Sequence, residues 1–112
     1  MKSMNKTQLI GYLGTDPKIR ELKTGTLLAT LRLSTHTKMK IKDESGNDIY
    51  QTTWHNVAIW GKERVEKIIN QYIKGSHVMV EGNLQYQSYI DRSGQKRYVT
   101  EIKAHTIMNL DR

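Results

Sequence analysis

The segment Thr52-Thr53-Trp54-His55-Asn56-Val57-Ala58-Ile59-Trp60-Gly61-Lys62 alternates with the period of two that belongs to a β-strand. Thr52, Trp54, Asn56, Ala58 and Trp60 fall on one face; Thr53, His55, Val57 and Ile59 fall on the other. The second face carries the aliphatic pair and suits a core. The first carries both tryptophans of the chain beside small or polar residues, which makes a poor core face and a good platform for flat rings. In an average domain the indoles would instead be buried anchors with bonded N–H groups. The remainder of the chain decides between these readings.

At 112 residues the chain is expected to form one domain with one modest core, spanning 4–112, with 1–3 as a short N-terminal extension. No apolar stretch is long enough to span a membrane, and the first residues lack the apolar region of a signal peptide. Cysteine is absent, which excludes a disulfide scaffold and a thiolate metal site and fits a reducing cytosol. Eighteen Lys and Arg against eleven Asp and Glu give a net charge of +7. A basic domain this small points to a polyanionic partner, although a merely basic soluble protein has the same composition.

In chain order, Asn5–Gly14 reads as a strand whose two glycines imply a bend or a close backbone approach. Gly14-Thr15-Asp16-Pro17 is a turn, and Lys18–Leu22 extends the strand past a bulge. Leu27–Thr35 is a second strand, with Leu27, Ala29, Leu31 and Leu33 against Leu28, Thr30, Arg32 and Ser34. His36–Tyr50 reads as a long, exposed, mobile hairpin loop with a basic base; loops of this length are usually functional. After the tryptophan strand, Val65, Ile68, Ile69, Tyr72 and Ile73 make a single apolar stripe, predicting a helix over Lys62–Ile73 closed by Gly75. His77–Ile90 and Gln95–Leu110 are the last strands, joined by the turn Asp91-Arg92-Ser93-Gly94. On the first of these, Val78, Val80, Gly82, Leu84 and Tyr86 share the core parity. Three strands, one helix and two strands are the order of an all-β, five-stranded OB-fold barrel with its helix between strands 3 and 4. Fold alone leaves function open.

Catalysis finds little support. His36, His55, His77 and His105 are scattered without ligand spacing, so no metal is expected. Asp43, Glu44, Asn47 and Asp48 fail the calcium-loop pattern. No glycine-rich phosphate loop precedes the helix, no nucleophile sits in a recognisable motif, and no cofactor is expected. A small hydrolase on the same barrel would need paired catalytic groups at recognisable spacing, and the sequence offers none.

Binding is better supported. Trp54 and Trp60 share a face, and Tyr89 lies on the outward parity of the fourth strand. Lys6, Arg20, Lys38, Lys40, Lys42, Lys62, Lys74, Arg92, Lys96 and Arg97 fall at strand ends, loops and turns. Each lysine alone is an ordinary solubilising group. Together, aromatics among cations are what single-stranded nucleic acid requires, because every base has a π-face and every phosphate a charge.

At these residues the chain resembles the bacterial-type single-stranded DNA-binding proteins, over Met4–Leu110. Met4-Asn5-Lys6…Leu9-Ile10-Gly11…Leu13-Gly14…Asp16-Pro17 matches that family's start. Trp54-His55…Val57…Trp60-Gly61-Lys62 resembles its most telling signature. Tyr72…Lys74-Gly75-Ser76…Val78…Val80-Glu81-Gly82…Leu84 continues the match, and Tyr89…Asp91…Ser93-Gly94…Arg97-Tyr98…Thr100-Glu101 resembles the last hairpin. The resemblance implies a homotetramer wrapped by single-stranded DNA, stacking at Trp54, Trp60 and Tyr89, phosphate contacts at Lys62, Lys74 and Arg97, and His55 near a subunit interface. It implies no catalysis, metal or cofactor.

Three departures stand out. Met39 occupies the loop position where the family often carries another stacking aromatic, and Gln85 and Gln87 stand where arginines are common. The chain also stops at Asp111-Arg112, where the family usually continues into a linker and an acidic tip that recruits replication and repair proteins. A truncated domain and a tail-less member are both consistent with that. The resulting expectation is a cytoplasmic, nucleoid-associated binding module. It would coat single-stranded DNA with little sequence preference and protect it in replication, recombination and repair, with Lys6, Arg20, Lys38, Lys40, Lys62, Lys74 and Arg97 on phosphates. The alternative on the same fold is a primosomal-type accessory protein acting mainly through protein contacts.

Overall fold

The computed structural model describes residues 2–90 and 92–111; the side chain of Tyr89 also lies outside the described residues, as does Asp91 of the expected hairpin turn. Six strands and one helix follow in the order β1 (Thr7–Leu13), β2 (Lys18–Glu21), β3 (Leu27–Lys42), β4 (Asp48–Trp60), α1 (Lys62–Gln71), β5 (His77–Ile90) and β6 (Lys96–Asn109). The sheet runs β1-β5-β6-β4-β3-β2, and a further β1–β3 pairing closes five of the strands into a ring. This is the expected five-stranded barrel, with α1 between its third and fourth strands. β2 lies outside the ring on the edge of β3, with Lys18 opposite Thr30 and Glu21 opposite Leu27. It is a separate strand and not an extension of β1, because Pro17 has no N–H to donate to a continuing ladder.

All pairings are antiparallel except β4–β6, where Asn56, Val57 and Ala58 run parallel to Glu101, Ile102 and Lys103. The ring closes tightly at β1. A Cβ on Gly11 would collide with the Ser34 carbonyl oxygen, so only glycine lets β1 cross β3 there.

The core is made by the parities expected from the alternation. Leu31 and Leu33 of β3, Val57 and Ile59 of β4, and Val78 and Val80 of β5 are fully buried. The helix covers this core with Val65, Ile68 and the following Tyr72. It is shorter than its apolar stripe predicts. It ends at Gln71, and Tyr72 is already extended, its N–H donating to the Ile68 carbonyl at 3.1 Å. Ile69 and Ile73 are 52% and 66% exposed. Gly75 is therefore not the helix cap. It lies in the turn that follows, where its N–H donates to the Leu13 carbonyl (2.8 Å). The Lys74 N–H donates to Asp16 Oδ1 (2.7 Å) and the Ile73 N–H to Ser76 Oγ (3.0 Å). These bonds draw the chain away from the helix axis before another turn can form.

Two further expectations are corrected. His36–Tyr50 is not a loop: β3 and β4 pair continuously from Leu28↔Trp60 to Lys38↔Tyr50, then again at Lys42↔Asp48 beyond a bulge. Only a short turn closes the ribbon, with Asp43 Oδ1 accepting the N–H groups of Ser45 (2.9 Å) and Asn47 (2.8 Å). Asp48 ties the strands with ion pairs to Lys38 (3.3 Å) and Lys42 (3.0 Å). Tyr86 is not core but 74% exposed. It keeps the core parity of β5, but the β5–β6 ribbon has by then passed Leu84↔Ile102, the last pair with the barrel beneath it.

Candidate nucleic-acid interface

β3 and β4 present the face predicted to carry the rings. Cross-strand pairing sets Trp54 opposite Ser34, Asn56 opposite Arg32, and Trp60 opposite Leu28. Neither indole is a buried anchor: Trp54 is 47% exposed and Trp60 half-buried. Each has a cation over its ring. The Arg32 guanidinium carbon is 5.4 Å from the Trp54 ring centroid, and Lys103 Nζ is 5.8 Å from that of Trp60. Arg32 Nη1 also donates to Asn56 Oδ1 at 3.3 Å, which holds the guanidinium over the strand.

The β5–β6 ribbon stands across from this face and makes a groove. Its larger part, about 450 Å³, lies between Arg20, Thr30 and Trp60 on one side and Gln87 and Val99 on the other. A smaller part, about 120 Å³, lies between Trp54 and Leu84. Asn56 and Glu101 line both, so the two parts adjoin, with Trp54 beside the smaller and Trp60 beside the larger. The clefts are lined by rings that any base can stack on.

The predicted site residues divide. Trp54, Trp60 and Arg20 line the groove. Arg97 shares the parity of Val99 and Glu101 on β6, which puts it on the groove side of its ribbon by register; its partner in the ladder is Tyr89, whose side chain lies outside the described residues. Lys38 shares the face of Trp54 farther along β3, and Lys40 is exposed near the ribbon's end. Lys62 opens the helix two residues after Trp60 and is exposed. Lys6 and Lys74 are not among the groove-lining side chains; Lys6 pairs with Glu81 at 3.7 Å. His55 has the opposite parity to the indoles, sits against Thr35 Oγ1 at 2.9 Å, and borders the smaller part of the groove. Burial holds its pKa below the ordinary value.

Arg32 and Lys103 were not among the predicted site residues. Arg32 was legible: it sits on the polar parity of Leu27–Thr35 and reaches Trp54 once β3 pairs with β4. Lys103 was not, because its approach to Trp60 depends on the parallel β4–β6 pairing, for which local alternation carries no signal. Among the described residues no three His, Cys, Asp or Glu side chains gather as a metal site. No helix there is long and apolar enough to cross a membrane.

Comparison with known proteins agrees with this geometry. The chain is 41% identical over 111 residues to the single-stranded DNA-binding protein 1 of Xylella fastidiosa strain 9a5c, covering 98% of this chain and 79% of that protein. It is 42% identical over 103 residues to the single-stranded DNA-binding protein 1 of Chlorobaculum tepidum, covering 90% of this chain and 61% of that relative. It thus spans less than two thirds of the latter's length. Among solved structures, the complex of the Plasmodium falciparum SSB with ssDNA superposes with a TM-score of 0.82 at 29% identity, covering 99% of this chain and 98% of that one. Residues 4–110 match the model of the single-strand binding protein family, and the chain belongs to that family.

Proposed function

We propose that this protein binds single-stranded DNA with little sequence preference and protects it during replication, recombination and repair. One observation carries the reading: two partly exposed indoles, each with a cation over its ring, line two adjoining clefts on the same strand face. Trp54, Trp60 and Tyr89 stack on bases. Arg20, Lys38, Lys40, Lys62 and Arg97 neutralise phosphates along the groove and its approaches, and Lys6 and Lys74 do so where the strand leaves it. Stacking is worth about 1–3 kcal/mol per base and is indifferent to base identity. The protein is a binding module of the cytoplasm and nucleoid, acting without a cofactor.

The working form is a homo-oligomer, and we assign it as a tetramer with His55 near a subunit contact. Support comes from the outer face of the barrel, where Ile10, Met79 and Met108 align across β1, β5 and β6 beside the stacked rings of Tyr12 and His77, 4.5 Å apart. Ile10, Tyr12 and Met108 are exposed in the single chain. Several short grooves on one body raise avidity through effective concentration. Light scattering tests the assembly.

The decisive experiment is a titration with oligo-dT and with duplex DNA at several salt concentrations, read by tryptophan fluorescence. Strong quenching by oligo-dT alone is expected. Equal, salt-labile binding to both without quenching would reduce the site to a basic surface.

A further inference from the structure

The ribbon face that carries Trp54 continues past it toward the turn. Trp54, Thr52 and Tyr50 share one parity of β4, and their partners on β3 are Ser34, His36 and Lys38. Tyr50 is 59% exposed and stands outside the hydrophobic core. The rung between the two rings is held by His36 Nδ1 and Thr52 Oγ1, 3.0 Å apart. The rung at Tyr50 carries Lys38, which shares the single carboxylate of Asp48 with Lys42, so two cations face one anion there. Four strand residues set the Tyr50 and Trp54 positions about 13 Å apart along the ribbon, roughly four spacings of a stacked strand at 3.4 Å each.

We propose that Tyr50 is a further base-stacking platform. A single strand stacked on Trp54 then continues up the β3–β4 ribbon, with a base on the Tyr50 ring and a phosphate at Lys38. This rests on the single-strand reading above and adds a direction to it. The ring is already exposed and its strand is fixed by the ladder, so a base gains stacking there with little ordering of the protein.

The test compares Tyr50→Ala and Tyr50→Phe with the unsubstituted protein, using oligo-dT of about 4 nucleotides, too short to bridge the two rings, and of about 16, the span of site sizes for one such barrel. Tryptophan quenching reads affinity, and light scattering reads assembly. Tyr50→Ala should weaken the longer oligonucleotide by roughly 5- to 20-fold, the lower part of the range for one stacked base. The shorter oligonucleotide should bind Tyr50→Ala as before, and Tyr50→Phe should bind both normally. Unchanged affinity of Tyr50→Ala for the longer strand overturns the proposal, as does a defect that Tyr50→Phe shares. A changed oligomeric state with equal losses at both lengths overturns it too, by assigning Tyr50 to a subunit contact. Absence of quenching in the unsubstituted protein removes the single-strand reading itself, and the Tyr50 platform with it.

Discussion

The Trp54 ring lies on Gly14. A Cβ at position 14 would collide with the ring's Cζ3 and lie 2.7 Å from its Cη2. The turn after β1 is thus the seat of the indole, and the missing side chain there sets how far the ring can settle toward the barrel.

Gly14→Ala should therefore act on the ring more than on the fold. The atom in conflict is the tip of a half-exposed side chain, which can swing aside. Overpacking of a rigid core costs about 1–3 kcal/mol, and the cost here should fall at or below the low end. Thermal unfolding should move little while oligo-dT affinity drops, both read on the same preparation. A large stability loss with normal binding by the folded fraction would show that the seat serves the fold alone.

The two tryptophans should differ in what they do for stability. Trp54→Ala should cost on the order of 1–3 kcal/mol of binding and leave urea unfolding nearly unchanged. Trp60 is more buried, beneath Lys103, so Trp60→Ala should weaken both binding and the fold. If both variants fold and bind oligo-dT normally, stacking at these rings is excluded.

The cations over the rings should appear in the salt dependence. If the Arg32 guanidinium also meets a phosphate, Arg32→Ala should reduce the slope of log K against log salt by about 0.7. Arg32→Lys should keep the slope but lose part of the affinity, since an ammonium cannot both stack on Trp54 and bond to Asn56 as a planar guanidinium does. Lys67, on the exposed side of the helix, is the control: Lys67→Ala should leave the slope where it was.

His55 makes stability fall on mild acidification. Burial lowers its folded-state pKa beneath the ordinary value of 6.5, so the unfolded chain binds the proton more readily. Its contribution is fully present above 6.5 and is lost as pH falls below it toward the folded-state value. The urea midpoint should drop between pH 7.5 and 5.5, and the drop should shrink in His55→Gln. An identical drop in both proteins would assign the effect to other groups.

Much of the barrel was legible because its strands alternate cleanly: Leu31, Leu33, Val57, Ile59, Val78 and Val80 are the core that the period of two predicts. The misreadings share one cause. Parity reports which face a residue is on, but not whether anything lies beneath that face. Tyr86 keeps the inward parity on a ribbon that has left the barrel, and Lys38, Lys40 and Lys42 alternate with Met39 and Ile41, which no core covers, so the segment reads as loop. Helix length failed for a related reason: Ile69 and Ile73 continue the stripe, but Asp16 and Ser76 capture the backbone that would have extended it. At the site, the indoles and Arg20 were readable from type and position, whereas Lys103 and Glu101 enter only through the parallel seam.

That seam has a consequence in time. Asn56 and Glu101 border one groove, yet they are forty-five residues apart and meet only where β4 and β6 run side by side. Long-range pairing of this kind forms slowly, after its loop-closure entropy has been met. During synthesis both tryptophans leave the ribosome before the wall they will face has been made, so a nascent chain displays its rings while it still has no groove to bind with.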